Sequence, residues 1–359
     1  MELVIYGAWG IAHAVCEAIT HLAPKRKIKC FLVTDAGVNP RTVAGIPVRA
    51  LQELADSLSE EEKKKIQVLI ATQECWMPEI EKSLDQAGLT CHTRMTSERW
   101  TELMSCYYLS EKKCMPLQAL PIGFHESSLQ IYMSKFYQDK PLADSYSLPE
   151  YIIPIQVGAA LCDERVAEVT DCEGENISEK NPNYSELTAL YWMWKNCLSK
   201  ESTGVEYYGL THYRRIMELT ADDRLRLLDN DVDVVLPYPM PHNQEIGFFC
   251  DIYLREGDRR TMERVIEEIC PEYKGVYDRI IHQFYLYHHN IIVAKKEVLK
   301  EYCDWLFPIL ERVEELSVPK SVDRKDRYIG YLAEALETVY FMGKKDELNI
   351  VHTGFRFMV

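Results

Sequence analysis

Short apolar runs alternate with helix-spaced apolar residues through the first hundred positions, and this alternation leaves the chain few folds. Residues 2–6 (Glu-Leu-Val-Ile-Tyr) read as a buried strand, and Gly7-Ala8-Trp9-Gly10 as a turn. Ile11, Val15, Ala18, Ile19 and Leu22 then recur at helical spacing. A second strand is predicted over 29–34, ending at Asp35, and a helix through Leu51, Leu54 and Leu58. A strand over 67–71 and a helix closed by Gly88 follow. Such repetition calls for a parallel sheet with helices on its faces. The expected class is α/β, beginning with a Rossmann-like half domain over residues 1–120.

Past Met104 the pattern weakens, and Pro116, Pro121 and Gly123 punctuate it. A domain boundary is placed there, with a second domain over 124–359. Its strands are predicted near 129–134, 152–157, 207–212, 233–237 and 289–294, and its helices near 184–197, 258–269, 297–315 and 328–341. Leu299, Tyr302, Cys303, Leu306, Leu310 and Val313 share one helix face, with Pro308 as a kink. A length of 359 residues suits two domains, and 47% hydrophobic content fills two cores.

The net charge of -15 disfavours nucleic acid and anionic membrane as bulk partners. Twelve cysteines without a C-x-x-C pair read as free thiols in a reducing cytoplasm. Met1 leads straight into a strand, so no signal peptide is expected, and no apolar run nears the ~20 residues of a membrane span. Peripheral contact with a membrane-bound biosynthetic complex stays open.

Four places carry chemistry. The N-terminal turn offers Gly7 and Gly10, with Asp35 placed to hold a ribose hydroxyl. Trp9 stands where a dinucleotide fingerprint has its second glycine, so a structural or docking role competes with nucleotide binding. Next, a polar loop with Asn176, Ser178, Lys180 and Asn181 runs into a helix with Glu186 and Trp192. Those amides, hydroxyls and aromatic faces suit a sugar; the plain alternative is a loop that caps the helix. His212-Tyr213-Arg214-Arg215 ends a buried strand, and guanidinium pairs there suit a phosphate, with ordinary ion pairs as the alternative. Finally, a carboxylate could accept a proton from an acceptor hydroxyl; the candidates are Asp251, Asp258, Glu334 and Glu337. Asp231-Val232-Asp233 precedes a strand and reads as a turn. His288 and His289, neighbours in a predicted strand, are expected to point apart, which argues against a metal site.

Several blocks in order resemble a bacterial family of capsular and exopolysaccharide biosynthesis proteins, described largely as a domain of unknown function and similar to GT-A glycosyltransferases. They are Ile155-Gln156-Val157-Gly158-Ala159-Ala160, the Asn-Ile-Ser loop, Glu186 to Trp192, His212 to Arg215, and Tyr302 to Leu310, within about 127–345. The resemblance implies a GT-A-like nucleotide-diphospho-sugar transferase domain. Its activity would move a hexosyl unit, galactofuranosyl among the candidates, from a nucleoside-diphosphate sugar to a polysaccharide or lipid-linked oligosaccharide. A UDP-sugar is the favoured donor. The basic block would stand in for an acidic metal-binding pair, so no metal is required. Asn290 matches a position that lines the pocket, and Glu334 lies at the start of a matching helix. The family tends to carry a His shortly before the acidic residue aligned with Asp258; this chain lacks it. The first domain resembles sugar-nucleotide-binding modules of polysaccharide enzymes. The alternative function is a non-catalytic sugar-nucleotide-binding or scaffolding protein.

Overall fold

The computed structural model describes residues 1–142, 146–200, 204–242, 244–247, 253–255 and 257–358. The chain divides into two compact units. The first comprises Met1–Cys114 with Met240–Asn243 and Gly354–Val359; the second comprises Met115–Pro239 and Gln244–Thr353.

In the first unit the strands are β1 (Glu2–Tyr6), β2 (Ile28–Val33), β3 (Thr42–Val43), β4 (Ile46–Ala50), β5 (Ile66–Ile70) and β6 (His92–Arg94). They form one sheet in the order β3-β4-β2-β1-β5-β6, parallel throughout except for the short β3–β4 pair. The order reverses at β1, which makes this a doubly wound sheet. Helices α1 (Gly10–Leu22), α2 (Leu51–Asp56), α3 (Glu60–Lys63), α4 (Met77–Gln86) and α5 (Ser97–Glu111) lie between and after the strands. Val4, Leu32, Val68 and Ile70 are fully buried beside Leu54, Met77 and Leu84, as the alternation predicts.

In the second unit the strands are β7 (Met115–Pro116), β8 (Leu129–Lys135), β9 (Ile152–Gln156), β10 (Val169–Thr170), β11 (Tyr207–His212), β12 (Arg215–Ile216), β13 (Val234–Pro237), β14 (Ile292–Lys295) and β15 (Ile350–Thr353). The main sheet runs β10-β9-β8-β11-β14-β13-β15-β7. Along that path β14 alone runs against its neighbours. Strand β7 already belongs to this sheet and precedes most of the Pro- and Gly-punctuated segment at 116–123.

Helices α6 (Asn181–Tyr184), α7 (Leu187–Met193), α8 (Ala221–Asp229), α9 (Asp258–Ile269), α10 (Lys274–Ile281), α11 (Lys296–Leu316) and α12 (Tyr328–Gly343) complete the unit. The predicted face of α11 is buried as expected, and Pro308 lies inside the helix. Helix α12 is buried along almost its whole length, which its apolar run Tyr328 to Phe341 accounts for. The sheet's direction decides where function can sit. Strands β8, β9, β11 and β13 all end at one edge, and β14, running the other way, begins there.

Near that sheet His352, on β15, is buried. Its Nε2 meets the Tyr287 hydroxyl at 2.8 Å, and burial pushes its pKa down to about 4. The folded protein keeps this imidazole neutral while the unfolded chain protonates it near pH 6.5. The associated stability is therefore complete above about pH 6.5 and is lost as pH falls toward 4, by an order of about 3 kcal/mol. Urea unfolding at pH 7 and pH 4.5 should show this decline, and His352→Gln should flatten part of it. An equal slope in both proteins would count against a neutral buried His352.

Candidate functional site

The tight turn between β11 and β12 builds the first part of the site. His212 pairs across it with Arg215, so their side chains leave the same face. The Thr211 hydroxyl fixes the turn: it donates to the Arg215 carbonyl at 2.6 Å and accepts from the Met217 amide at 2.9 Å. Tyr213 and Arg214 occupy the turn, with the Arg214 guanidinium 5.2 Å from the Tyr213 ring.

The second part comes from the segment before β14. Here the expectation that His288 and His289 lie in a strand and point apart is corrected. The strand begins only at Ile292, and His289 and Asn290 both take positive φ, 75° and 50°. Neither residue is glycine, so the backbone is strained, a feature that clusters at functional sites. The turn places the His288 and His289 rings 5.4 Å apart and His289 6.1 Å from His212.

The third part is helical. His288 Nδ1 lies 2.9 Å from Glu334 Oε2 on α12, and Asn290 Nδ2 donates to Glu186 Oε1 at 2.6 Å. Arg215 is held between two tendencies: burial pulls its pKa down, while Glu334 and Glu186 raise it. Burial, with Arg215 also opposing a second charge, keeps His212 and His289 neutral, His289 strongly so. Two polar atoms in this cluster, His212 Nε2 and Asn290 Oδ1, are buried without a hydrogen-bond partner. Such atoms are rare in folded proteins and call for an explanation. Glu334 Oε1 also takes no hydrogen bond among the described residues.

At the same edge of the sheet, but on the face away from His212 and Arg215, a cavity of about 430 Å³ is lined by Met133, Lys135, Ile153, Val169, Tyr213 and Ile216 among others, and by no residue of the cluster. Its size lies in the range of small-molecule sites. His288, His289 and Glu334 each offer a donor atom within 4.8 Å of the others, spacing a divalent cation could use. Arg215 brings a positive charge to the same cluster.

The other sequence candidates sit elsewhere in the second unit or in the first. Asn176 Nδ2 donates to the Cys172 and Gly174 carbonyls, and its Oδ1 accepts from the Ser178 amide. Ser178 is fully buried and donates to Asp171, which also accepts from the Gly158 and Ala159 amides at 2.8 and 3.0 Å. Asn181 donates to the Ser185 carbonyl at 2.9 Å, packed against Gly158, whose φ of 63° suits glycine. Lys180 pairs with Glu314 at 2.6 Å, and Trp192 Nε1 donates to the Glu173 carbonyl at 2.8 Å. These groups hold the loop that leads to Glu186.

Asp258 is a correction. Arg324 grips both its oxygens at 2.8 Å, and the Arg255 amide adds a third bond. A carboxylate so occupied in a buried ion pair is a poor proton acceptor. Asp251 lies outside the described residues. Asp231 and Asp233 both pair with Lys295 before β13, at the sheet's opposite edge, as their reading as a turn implies. In the first unit Gly7 (φ 123°) makes the tight turn after β1, where a Cβ would meet the Ala71 carbonyl at 2.6 Å. Gly10 opens α1, and Asp35 caps a turn through the Gly37 amide at 2.7 Å. Trp9 is 68% exposed, its Nε1 held by Asn39 at 3.0 Å.

Glu337 is fully buried one turn below Glu334, and neither of its oxygens has a partner. Burial, then Glu334 and Glu186, push its carboxyl well above the usual range, so it stays protonated in the folded state. The unfolded chain ionises above about pH 4.3. This group therefore lowers stability progressively as pH rises above that value. Glu337→Gln should stabilise the protein at pH 7 by about 1 kcal/mol or more and have little effect at pH 4. Denaturant midpoints shifting equally at both pH values would contradict a protonated Glu337.

The apo structure of the WbbM bifunctional glycosyltransferase is similar over 64% of this chain, with 26% identity and a TM-score of 0.52. The match spans 45% of that chain. The second unit's mixed sheet and helices thus form a GT-A-like, glycosyltransferase-like domain. No curated protein matches the sequence. No helix among the described residues is long and apolar enough to cross a membrane. The family profile "Domain of unknown function (DUF4422)" matches residues 142–345, more than half of the chain, and the chain belongs to that family.

Proposed function

We propose that the second unit transfers a hexosyl unit from a nucleoside-diphosphate sugar to a hydroxyl of a polysaccharide or lipid-linked oligosaccharide acceptor. The observation that carries this reading is the pair of buried, unpartnered polar atoms, His212 Nε2 and Asn290 Oδ1, beside the open Oε1 of Glu334. Sugar hydroxyls are donors and acceptors that would satisfy both. The similarity to a glycosyltransferase supports the same reading.

Glu334 is assigned as the base. His288 holds Oε2, which leaves Oε1 to take the proton of an acceptor hydroxyl as it attacks the anomeric carbon. The glycosyl bond to the donor diphosphate then breaks, and the leaving phosphate carries the electron pair. Arg214 and Arg215 would stabilise that charge, so metal is not required. Asn290 and Glu186 orient the sugar, and the cavity past the Tyr213 turn is large enough for a nucleoside. A UDP-sugar is the favoured donor, and UDP-galactofuranose is one candidate. The first unit, with Trp9 in its turn, is read as a docking or structural module.

Nucleotide release from a panel of UDP-, GDP- and TDP-sugars tests the reading, with slow donor hydrolysis a sufficient signal. Glu334→Gln should lower turnover by about 10²–10⁴-fold while UDP affinity stays nearly constant. Binding without turnover by any donor would establish the scaffolding alternative instead. Activity should persist in EDTA. Loss with chelator and recovery with manganese would transfer the charge role to an ion at His288, His289 and Glu334.

A further inference from the structure

Two imidazoles and a carboxylate meet in the cluster with the spacing of metal ligands. His288 Nδ1 lies 2.9 Å from Glu334 Oε2, and the donor atoms of His288, His289 and Glu334 all lie within 4.8 Å of one another. Among the described residues this is the one group of three or more His, Cys, Asp or Glu side chains so placed. Ligand atoms about 2.1 Å from a divalent transition-metal ion, at right angles to each other, stand about 3.0 Å apart. The His288–Glu334 pair already matches that spacing. Closing the widest separation asks for about 1–2 Å of side-chain rotation.

The backbone presents the three groups from two rigid places. Glu334 projects from the buried helix α12. The imidazoles come from the turn before β14, where His289 and Asn290 take φ of 75° and 50°. Two successive left-handed residues, neither a glycine, cost free energy that an extended entry into β14 would avoid. What the turn gains is ring placement. In a strand, consecutive histidines would face opposite ways; here their rings lie 5.4 Å apart. The His288 and Glu334 side chains are 11% and 12% exposed, enough for an ion to reach them and lose most of its water. Burial keeps His289 neutral, the form in which an imidazole ligates a metal. His212 Nε2, buried without a hydrogen-bond partner, belongs to a ring only 6.1 Å from that of His289.

The donor set also selects the ion. Imidazole nitrogen suits zinc, cobalt, nickel and copper, whereas magnesium, manganese and calcium favour oxygen. Arg215 sharpens that choice, because its charge acts on His289 and opposes any cation held by charge alone. Directional bonds to nitrogen are what a zinc ion adds.

We propose that His288, His289 and Glu334 form a binding site for Zn²⁺, and that the bound ion switches the transferase off. The ion takes the Glu334 carboxylate, which then cannot accept the proton of an acceptor hydroxyl. It also takes His288, which otherwise holds Glu334 Oε2. The proton shared between His288 Nδ1 and Glu334 Oε2 passes to solvent as the ion replaces it. The ion site stands on geometry; the switch rests on Glu334 being the base of the proposed reaction.

Calorimetry of the full chain with Zn²⁺, and absorption spectra with Co²⁺ in its place, read the site without turnover. Bound cobalt should show no thiolate-to-metal charge-transfer band, which separates this site from the twelve cysteines. His289→Asn removes one imidazole and keeps a residue that tolerates the left-handed backbone. Glu334→Gln removes the carboxylate. Each should weaken zinc by at least about tenfold, the lower bound for disturbing even an outer-shell partner. In the wild type, zinc should abolish donor turnover and EDTA restore it. The half-inhibiting zinc concentration in His289→Asn should rise by the same factor as its dissociation constant. Unchanged zinc affinity in both variants, or a thiolate band from the bound cobalt, would overturn the site. Turnover that needs zinc would overturn the switch and leave the transferase reading standing. Zinc bound at these residues with turnover unaffected would overturn the switch and Glu334 as base. No turnover with any donor would overturn the transferase reading and the switch, while calorimetry still decides the zinc site.

Discussion

The half-buried guanidinium of Arg215, set against Glu186 and Glu334, is the constraint on which the rest of the site depends. Three carboxyl groups converge at one end of α12 and α7, and burying them together is costly unless something offsets their charge. Two different devices do so. Arg215 supplies a fixed cation that remains charged despite burial. Glu337 keeps its proton. The result sets Glu334 beside the buried, neutral imidazoles of His212 and His289, with its Oε1 open.

The scaffold reaches this arrangement by topology. One strand, β14, runs against its neighbours, so the segment entering it emerges at the edge where β11 ends. The left-handed pair His289 and Asn290 then turns the imidazoles and the amide back toward α12 and Glu186. Asp171 gathers the Gly158, Ala159 and Ser178 donors and fixes the loop that delivers Glu186. Asp258 and Arg324 perform the same service for the start of α12. Polar residues that look reactive in isolation are, in both places, the pins of the framework.

The sequence made some of this legible and hid the rest, for identifiable reasons. Period-2 and period-3.6 patterns located β1, β2, β5, β8, β9, β11 and β13 and the long helices, because burial of an apolar face produces those patterns directly. The basic block after β11 and Glu334 could be picked out by residue type. The turn at His288–Asn290 could not, since left-handed backbone without glycine has no compositional signature, and Ile291 and Ile292 beside it read as strand. The Asn-Ile-Ser loop signalled sugar-facing polarity, but a loop rich in Asn and Ser is also how a chain satisfies its own backbone. Asp258 drew attention as a carboxylate; its partner Arg324, 66 residues away, is invisible to local pattern.

The central claim is that the donor is held at the C-terminal edge of the second unit's sheet. A structure of the full chain with bound UDP tests it most directly. The account predicts the diphosphate against Arg214 or Arg215, with the nucleoside directed past the turn into the cavity lined by Met133, Ile153 and Tyr213. UDP seated instead in the first unit, stacked on Trp9 with its ribose at Asp35, would contradict the account and reverse the division of labour between the two units.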